Sequence, residues 1–152
     1  MTRAFTLAAA AMLLAAAQAG AQTVITDGDT IKMDGTTYRL WGIDAAESKQ
    51  LCADDWPAGA EATKALASLM AGKPVICEAR ARDRYGRTVA LCRAGELDLG
   101  SEMVRIGMAW AFTRYSSDYV GEERDALRRG LGVHAHQCEK PWDWRARVRG
   151  DR

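Results

Sequence analysis

Beyond its first 21 residues the chain has no apolar run that approaches the length of a membrane span. It has no internal repeat, no linker and no low-complexity tract. It also lacks an excess of either charge, since 21 Lys and Arg against 20 Asp and Glu leave a formal +1. That balance excludes the global positive field of a typical nucleic-acid binder, so any phosphate-attracting field must be local. Histidine is scarce, with two residues in all. They form His134-Ala135-His136 beside Cys138, a pattern that suits a decorated tail better than a metal site. What remains is a chain of 152 residues with 48% hydrophobic and 27% charged residues, the profile of one globular domain.

The amino-terminal segment differs in kind from the rest. Arg3 is the only charge before a run of Ala, Leu and Met from Phe5 to Ala17, and Ala19-Gly20-Ala21 supplies the small residues that a signal peptidase reads. Residues 1–21 are therefore expected to be a secretory signal peptide cleaved before Gln22, leaving a mature domain over 22–152. The mature protein should be exported, periplasmic or secreted, monomeric and without a membrane segment. Loss of Arg3 brings its formal charge to 0.

Four cysteines in an exported chain imply two disulfides, for which three pairings exist. Pro74 to Glu78 and Thr88 to Arg93 read as strands around a polar Tyr-Gly turn. If they pair as a hairpin, Cys77 and Cys92 fall nearly opposite each other, and Cys52 and Cys138 are left to clip an early loop to the carboxy-terminal segment.

The remaining pattern reads as α+β. Ile31 to Met33 and Thr37 to Trp41 alternate around Asp34-Gly35, a strong hairpin signal. Asp44 to Trp56 reads as an irregular loop. A helix is expected from Pro57 to about Ala71, with Ala62, Leu66, Leu69 and Met70 on its buried face. Two more are expected from Leu99 to Ile106 and from Asp118, as N-cap, to Arg129. The count suits a five-stranded OB barrel with three helices. Trp41, Trp110, Trp142 and Trp144 read as packing residues, and Arg145, Arg147, Arg149 and Arg152 as a solvated tail.

Three segments carry chemistry together. Asp27 and Asp29 flank a glycine at a turn, and Asp44 and Glu47 follow the hairpin, placing carboxylates on loops where a hard cation such as calcium can be held. Arg39 and Arg87 offer planar guanidinium forks for a phosphate. A carboxylate, a cation and two arginines suffice to activate water and to stabilise the charge that gathers on phosphorus oxygens.

These segments, Asp27-Gly28-Asp29-Thr30, Arg39 to Glu47 and Asp83-Arg84-Tyr85-Gly86-Arg87, resemble the signatures of the staphylococcal nuclease family. The resemblance runs from about Val24 to about Gly132 and includes Gly107, and Pro141-Trp142-Asp143-Trp144-Arg145 is similar to the tail of exported bacterial members. It implies an OB barrel and a single calcium ion. It also implies cleavage of DNA, and of RNA, by attack of water and departure of the 5′ oxygen, leaving 3′-phosphates. By position, Asp29, Asp44 and the main-chain carbonyl of Ala45 match calcium ligands and Asp27 an acid behind them. Arg39 and Arg87 match the phosphate-binding arginines and Glu47 the general base. Arg84 and Tyr85 match residues on the terminal phosphate, and Tyr115 falls near a base-stacking tyrosine. Ala46 stands where the family usually has proline, so a looser Glu47 and a slower reaction are expected. The competing expectation is a non-catalytic OB module that binds nucleic acid or a protein.

Overall fold

The computed structural model describes residues 23–150. The predicted leader, residues 1–21, and Arg152 at the tail lie outside the described residues. Strands β1 (Thr23–Asp27), β2 (Thr30–Met33) and β3 (Thr36–Leu40) form an antiparallel meander. Between the last two, Asp34 and Gly35 adopt φ of 48° and 79°, the paired positive values of a type I′ turn, which suit the twist of the flanking strands. After the short strand β4 (Ile43–Ala45) and a loop comes helix α1 (Ala58–Met70). The long hairpin of β5 (Val75–Arg82) and β6 (Thr88–Ala94) follows, then β7 (Leu97–Asp98), α2 (Leu99–Arg105), β8 (Ala109–Ala111), α3 (Val120–Arg129) and α4 (Pro141–Arg149).

The main sheet has the order β1-β2-β3-β6-β5, with β7 added to β6. The β3–β6 pairing is parallel and every other pairing in it is antiparallel. This is the five-stranded Greek-key arrangement of an OB fold, characteristically a partly open barrel. Its interior is filled by Ile31, Leu40, Leu66, Leu99, Met103 and Val104, each at most 1% exposed. Helix α1 closes one end so tightly that a Cβ on Gly28 would stand 2.6 Å from the Ala62 Cβ and 2.8 Å from the Ala45 Cβ. Only glycine lets the turn between β1 and β2 lie against both the helix and β4.

Both disulfides link the partners named from the strand pattern. Cys77 is bonded to Cys92, its register partner in the β5–β6 hairpin, and Cys52 is bonded to Cys138 across 86 residues. The second bond lies in a smaller core of Ala46, Ala58, Trp110 and Val133, packed beneath the loop that carries Glu47.

Three features depart from the sequence expectation. Ile43–Ala45 and Ala109–Ala111 form a separate antiparallel ladder, so the segment after Asp44 begins as strand. Asp118 does not cap α3, whose N-cap is Tyr119; its carboxylate instead accepts the Trp41 indole N–H at 2.9 Å. Among the described residues the arginine-rich tail is a further α-helix. Pro141 opens α4, Asp143 lies in its first turn, Arg147 and Arg149 lie in its last, and Gly150 ends it in the left-handed region. Each of these suits the helix dipole and its termini.

Candidate active site

The turn after β1 starts the site. Asp27 Oδ1 accepts the Asp29 N–H at 3.2 Å, which turns the Asp29 carboxylate inward. There Asp29 Oδ1 accepts from the Thr30 hydroxyl at 2.9 Å and Oδ2 from the Ala45 N–H at 2.9 Å. Arg39, beside Thr30 in the β2–β3 register, extends one guanidinium to two acids. Its Nη1 lies 2.8 Å from Asp29 Oδ1 and its Nη2 2.6 Å from Asp44 Oδ1. Asp29 is 3% exposed and Asp44 is fully buried. Burial pushes the Asp29 carboxyl above the usual carboxylate range, and the Arg39 charge pulls it part of the way back. Burial opposes the Arg39 charge too, but Asp29 and Asp44 outweigh it and raise its pKa.

Glu47 stands at the mouth of this acid pair, in a loop held by a residue that the sequence pattern did not single out. Gln50 is 1% exposed. Its Oε1 accepts the Glu47 N–H at 3.1 Å, its own N–H donates to the Glu47 carbonyl at 2.7 Å, and its Nε2 donates to the Glu139 carbonyl at 2.6 Å. Gly59, at the start of α1, completes the clamp, since a Cβ there would lie 1.9 Å from the Glu47 carbonyl oxygen. Ala46 is buried in the smaller core. The looseness expected from alanine in place of proline is therefore countered by Gln50 and Gly59. Gly59→Ala should displace the Glu47 carbonyl by more than 1 Å, lowering turnover about 100-fold while costing roughly 1–3 kcal/mol of stability. Parallel turnover and thermal-melting measurements would show it, and unchanged turnover in a folded variant would count against the clamp.

The second arginine comes from the tip of the β5–β6 hairpin. Arg87 Nε donates to Asp83 Oδ2 at 2.7 Å, leaving its two terminal nitrogens to address a ligand. Asp83 Oδ1 also accepts the main-chain N–H groups of Tyr85 and Arg87, both at 2.9 Å. Burial opposes the Asp83 charge, but these donors hold its carboxyl below the usual range. The Arg84 guanidinium lies 4.9 Å from the centre of the exposed Tyr85 ring and that of Arg87 5.6 Å. Tyr115 is 65% exposed, with its ring 5.1 Å from that of Phe112. A cleft of ≈ 810 Å³ runs past Asp27, Asp29, Arg39, Glu47, Arg84, Tyr85, Arg87 and Tyr115, and its far wall is Trp142, Asp143 and Arg145 of α4. Ala45 lines the same cleft, while Asp44 lies beneath it.

That wall corrects one reading of the sequence. Arg145 is not a solvated tail residue. Its Nη2 lies 2.6 Å from Asp44 Oδ2, and its Nη1 lies 2.7 Å from Glu47 Oε1 and 3.1 Å from Asp44 Oδ1. Burial opposes its charge, yet the hydrogen bonds and charges of Asp44 and Glu47 raise its pKa. The spacing from Asp44 to Arg145, 101 residues, leaves no local pattern from which this contact could be read.

Among the described residues no group of three His, Cys, Asp or Glu side chains is arranged to hold a metal by itself. Cys138 is oxidised, and the His136 Nδ1 lies 2.6 Å from Asp54 Oδ2, so the histidine pair makes no thiolate site. The acid pair is different, because Asp29 and Asp44 supply only oxygen and lie beside the main chain of Ala45. A hard divalent cation completing its shell with a carbonyl and water suits that donor set, and a guanidinium already occupies the Asp44 face as a positive charge.

The flank of this small OB barrel thus carries two buried acids bridged by arginine, beside a basic hairpin tip and exposed tyrosines. The chain belongs to the staphylococcal nuclease homologue family, which it matches over residues 37–133. It is 38% identical over 132 residues to an uncharacterized endonuclease of Escherichia coli O157:H7, covering 81% of this chain and 82% of that one. It is 36% identical over 125 residues to succinoglycan biosynthesis protein ExoI of Rhizobium meliloti (strain 1021), covering 78% of this chain and 59% of that one. With a staphylococcal-like nuclease of Arabidopsis thaliana it shares 33% identity over 115 residues, 74% of this chain and 34% of the relative. The chain thus spans little more than half of the Rhizobium protein and a third of the plant one. Asp27 and Asp29, before residue 37, and all of α4, after residue 133, lie outside the matched segment.

Proposed function

We propose that this chain is an exported, calcium-dependent nuclease that hydrolyses phosphodiester bonds of DNA, and of RNA, to 3′-phosphorylated products. The observation that carries this reading is the single guanidinium of Arg39 shared by two buried acids, in a cleft that also holds Glu47 and Arg87. Asp29, Asp44 and the Ala45 carbonyl are the residues that would hold calcium, with Asp27 fixing Asp29 from behind. When bound, calcium supplies positive charge beside the attacked phosphate and favours ionisation of a nearby water.

The chain's own residues do the rest. Arg39 and Arg87 present N–H donors to the equatorial phosphate oxygens, whose charge grows as water attacks. Glu47 accepts the proton of that water, and the Gln50–Gly59 clamp holds its main chain in place. The 5′ oxygen leaves with a proton from solvent. Arg84 and Tyr85 hold a terminal phosphate, and Tyr115 offers a ring to a base. Relatives named as endonucleases and as a staphylococcal-like nuclease support nucleic acid as the substrate.

The test is digestion of single-stranded DNA by the purified protein with calcium or with a chelator, followed by assignment of the new ends. Calcium-dependent cutting to 3′-phosphates is expected. Equal cutting in chelator would overturn the calcium assignment, and binding without cutting would favour a non-catalytic module. Export is tested by the amino terminus of protein recovered outside the cytoplasm, expected at Gln22; a chain retained inside with its leader would overturn it.

A further inference from the structure

Arg145 belongs to a helix outside the segment matched by the family, yet its guanidinium lies against the proposed cation ligand Asp44 and the proposed base Glu47. Asp44 has no exposed side-chain surface, and its two oxygens accept three guanidinium N–H bonds, one from Arg39 and two from Arg145. Without Arg145, Asp29 and Asp44 would still share Arg39, but the 2.7 Å guanidinium contact on Glu47 would be lost. An acid cluster in a dry site is costly unless its charge is matched. A divalent cation would match it as well, but it carries the same sign as the guanidinium and draws on the same Asp44 oxygens. Arg39 and Arg145 already converge on Asp44 Oδ1, and a divalent ion drawing on the same oxygens would add two further positive charges beside them, a repulsion relieved if Arg145 withdraws.

We infer that Arg145 is a built-in placeholder cation, which neutralises Asp44 and Glu47 while no divalent ion is bound and is displaced from them when one enters. This rests on the cation-site reading of Asp29 and Asp44 given above. The anchoring of α4 fits such a role. Just before the helix, Cys138 is bonded to Cys52 and the Glu139 carbonyl accepts from Gln50; Pro141 is buried, and the Trp142 ring lies 5.5 Å from that of Phe112. Arg145 follows one turn later on a long, flexible side chain that is 28% exposed. The guanidinium can therefore leave the acids without the helix leaving its seat. While seated it keeps the acids and Glu47 in register, and a divalent ion must first overcome the paired state, which weakens its apparent affinity.

The experiment is isothermal titration of calcium into the metal-free full chain and its Arg145→Ala and Arg145→Met variants, with melting curves in chelator and in calcium. Folding of the variants is checked by circular dichroism. The variants are expected to bind calcium roughly tenfold more tightly, since the fraction of sites open to the ion rises. They should also melt several degrees lower in chelator and recover in calcium. Calcium binding to folded variants that is equal to wild type, or weaker, overturns the placeholder role alone. A second readout needs no variant. The guanidinium resonances of Arg145 in the nitrogen-15 spectrum of the wild-type chain should be protected in chelator and lose that protection on saturation with calcium. Resonances unmoved at saturation also overturn the inference. Absence of calcium uptake by wild type and variants alike overturns the calcium reading itself, and the placeholder with it.

Discussion

Replacing Glu47 with glutamine should lower DNA cleavage by roughly two to four orders of magnitude, the loss expected when a positioned proton acceptor is removed. Glutamine keeps the length of the side chain and its capacity to accept from the Arg145 Nη1, now at 2.7 Å from Glu47 Oε1, but it cannot take a proton from water. The loop should not move, because its main chain is held by Gln50 and by the close approach of Gly59. Turnover on single-stranded DNA at saturating calcium is the quantity to measure, beside the melting temperature. A large loss of turnover with melting near wild type supports the base assignment. Near-normal turnover would sink it and leave the acid pair and the arginines to account for activity without Glu47.

The second large effect falls on stability. Replacing Cys52 and Cys138 with serine opens a loop of 86 residues, worth about 4.5 kcal/mol in the chain-entropy model, against about 3 kcal/mol for the 15-residue loop closed by Cys77 and Cys92. For a domain of this size the larger loss is a sizeable part of the whole. Denaturant titrations of the two double variants should show the long closure as the more costly to lose. The functional consequence should differ as well, because Cys52 lies two residues after Gln50 and Cys138 three before α4. Loss of that bond loosens both the Glu47 loop and the Arg145 wall, whereas the hairpin bond lies at the end of β5–β6 away from Arg87. Equal stability loss in the two variants would refute the loop-length argument.

Much of this molecule can be read locally. The β2–β3 hairpin is written in Asp34-Gly35 and in the alternation on either side of it, and α1 in the spacing of Ala62, Leu66 and Met70. Asp27, Asp29, Arg39, Asp44 and Glu47 lie within 21 residues, so turn and hairpin geometry alone bring them to one flank. What could not be read was made by distant partners. The β4–β8 ladder is three residues long on each side and joins segments more than sixty residues apart, too short for periodicity to register. Asp118 has the composition of a helix cap, but the Trp41 indole takes its carboxylate, a choice fixed by tertiary packing. Gln50 reads as an ordinary loop polar residue until the Glu139 carbonyl arrives to share it. Arg145 was hidden by composition, because arginines near a terminus look solvated unless an unmatched acid waits elsewhere in the fold.

The contact between Glu47 and Arg145 spans 98 residues, and that separation has a meaning in time. A ribosome adding 5–20 residues per second delivers the acids first and this guanidinium about 5–20 s later. Any amino-terminal fragment that stops before α4 therefore contains Asp29, Arg39, Asp44 and Glu47 but lacks the guanidinium that meets Asp44 and Glu47.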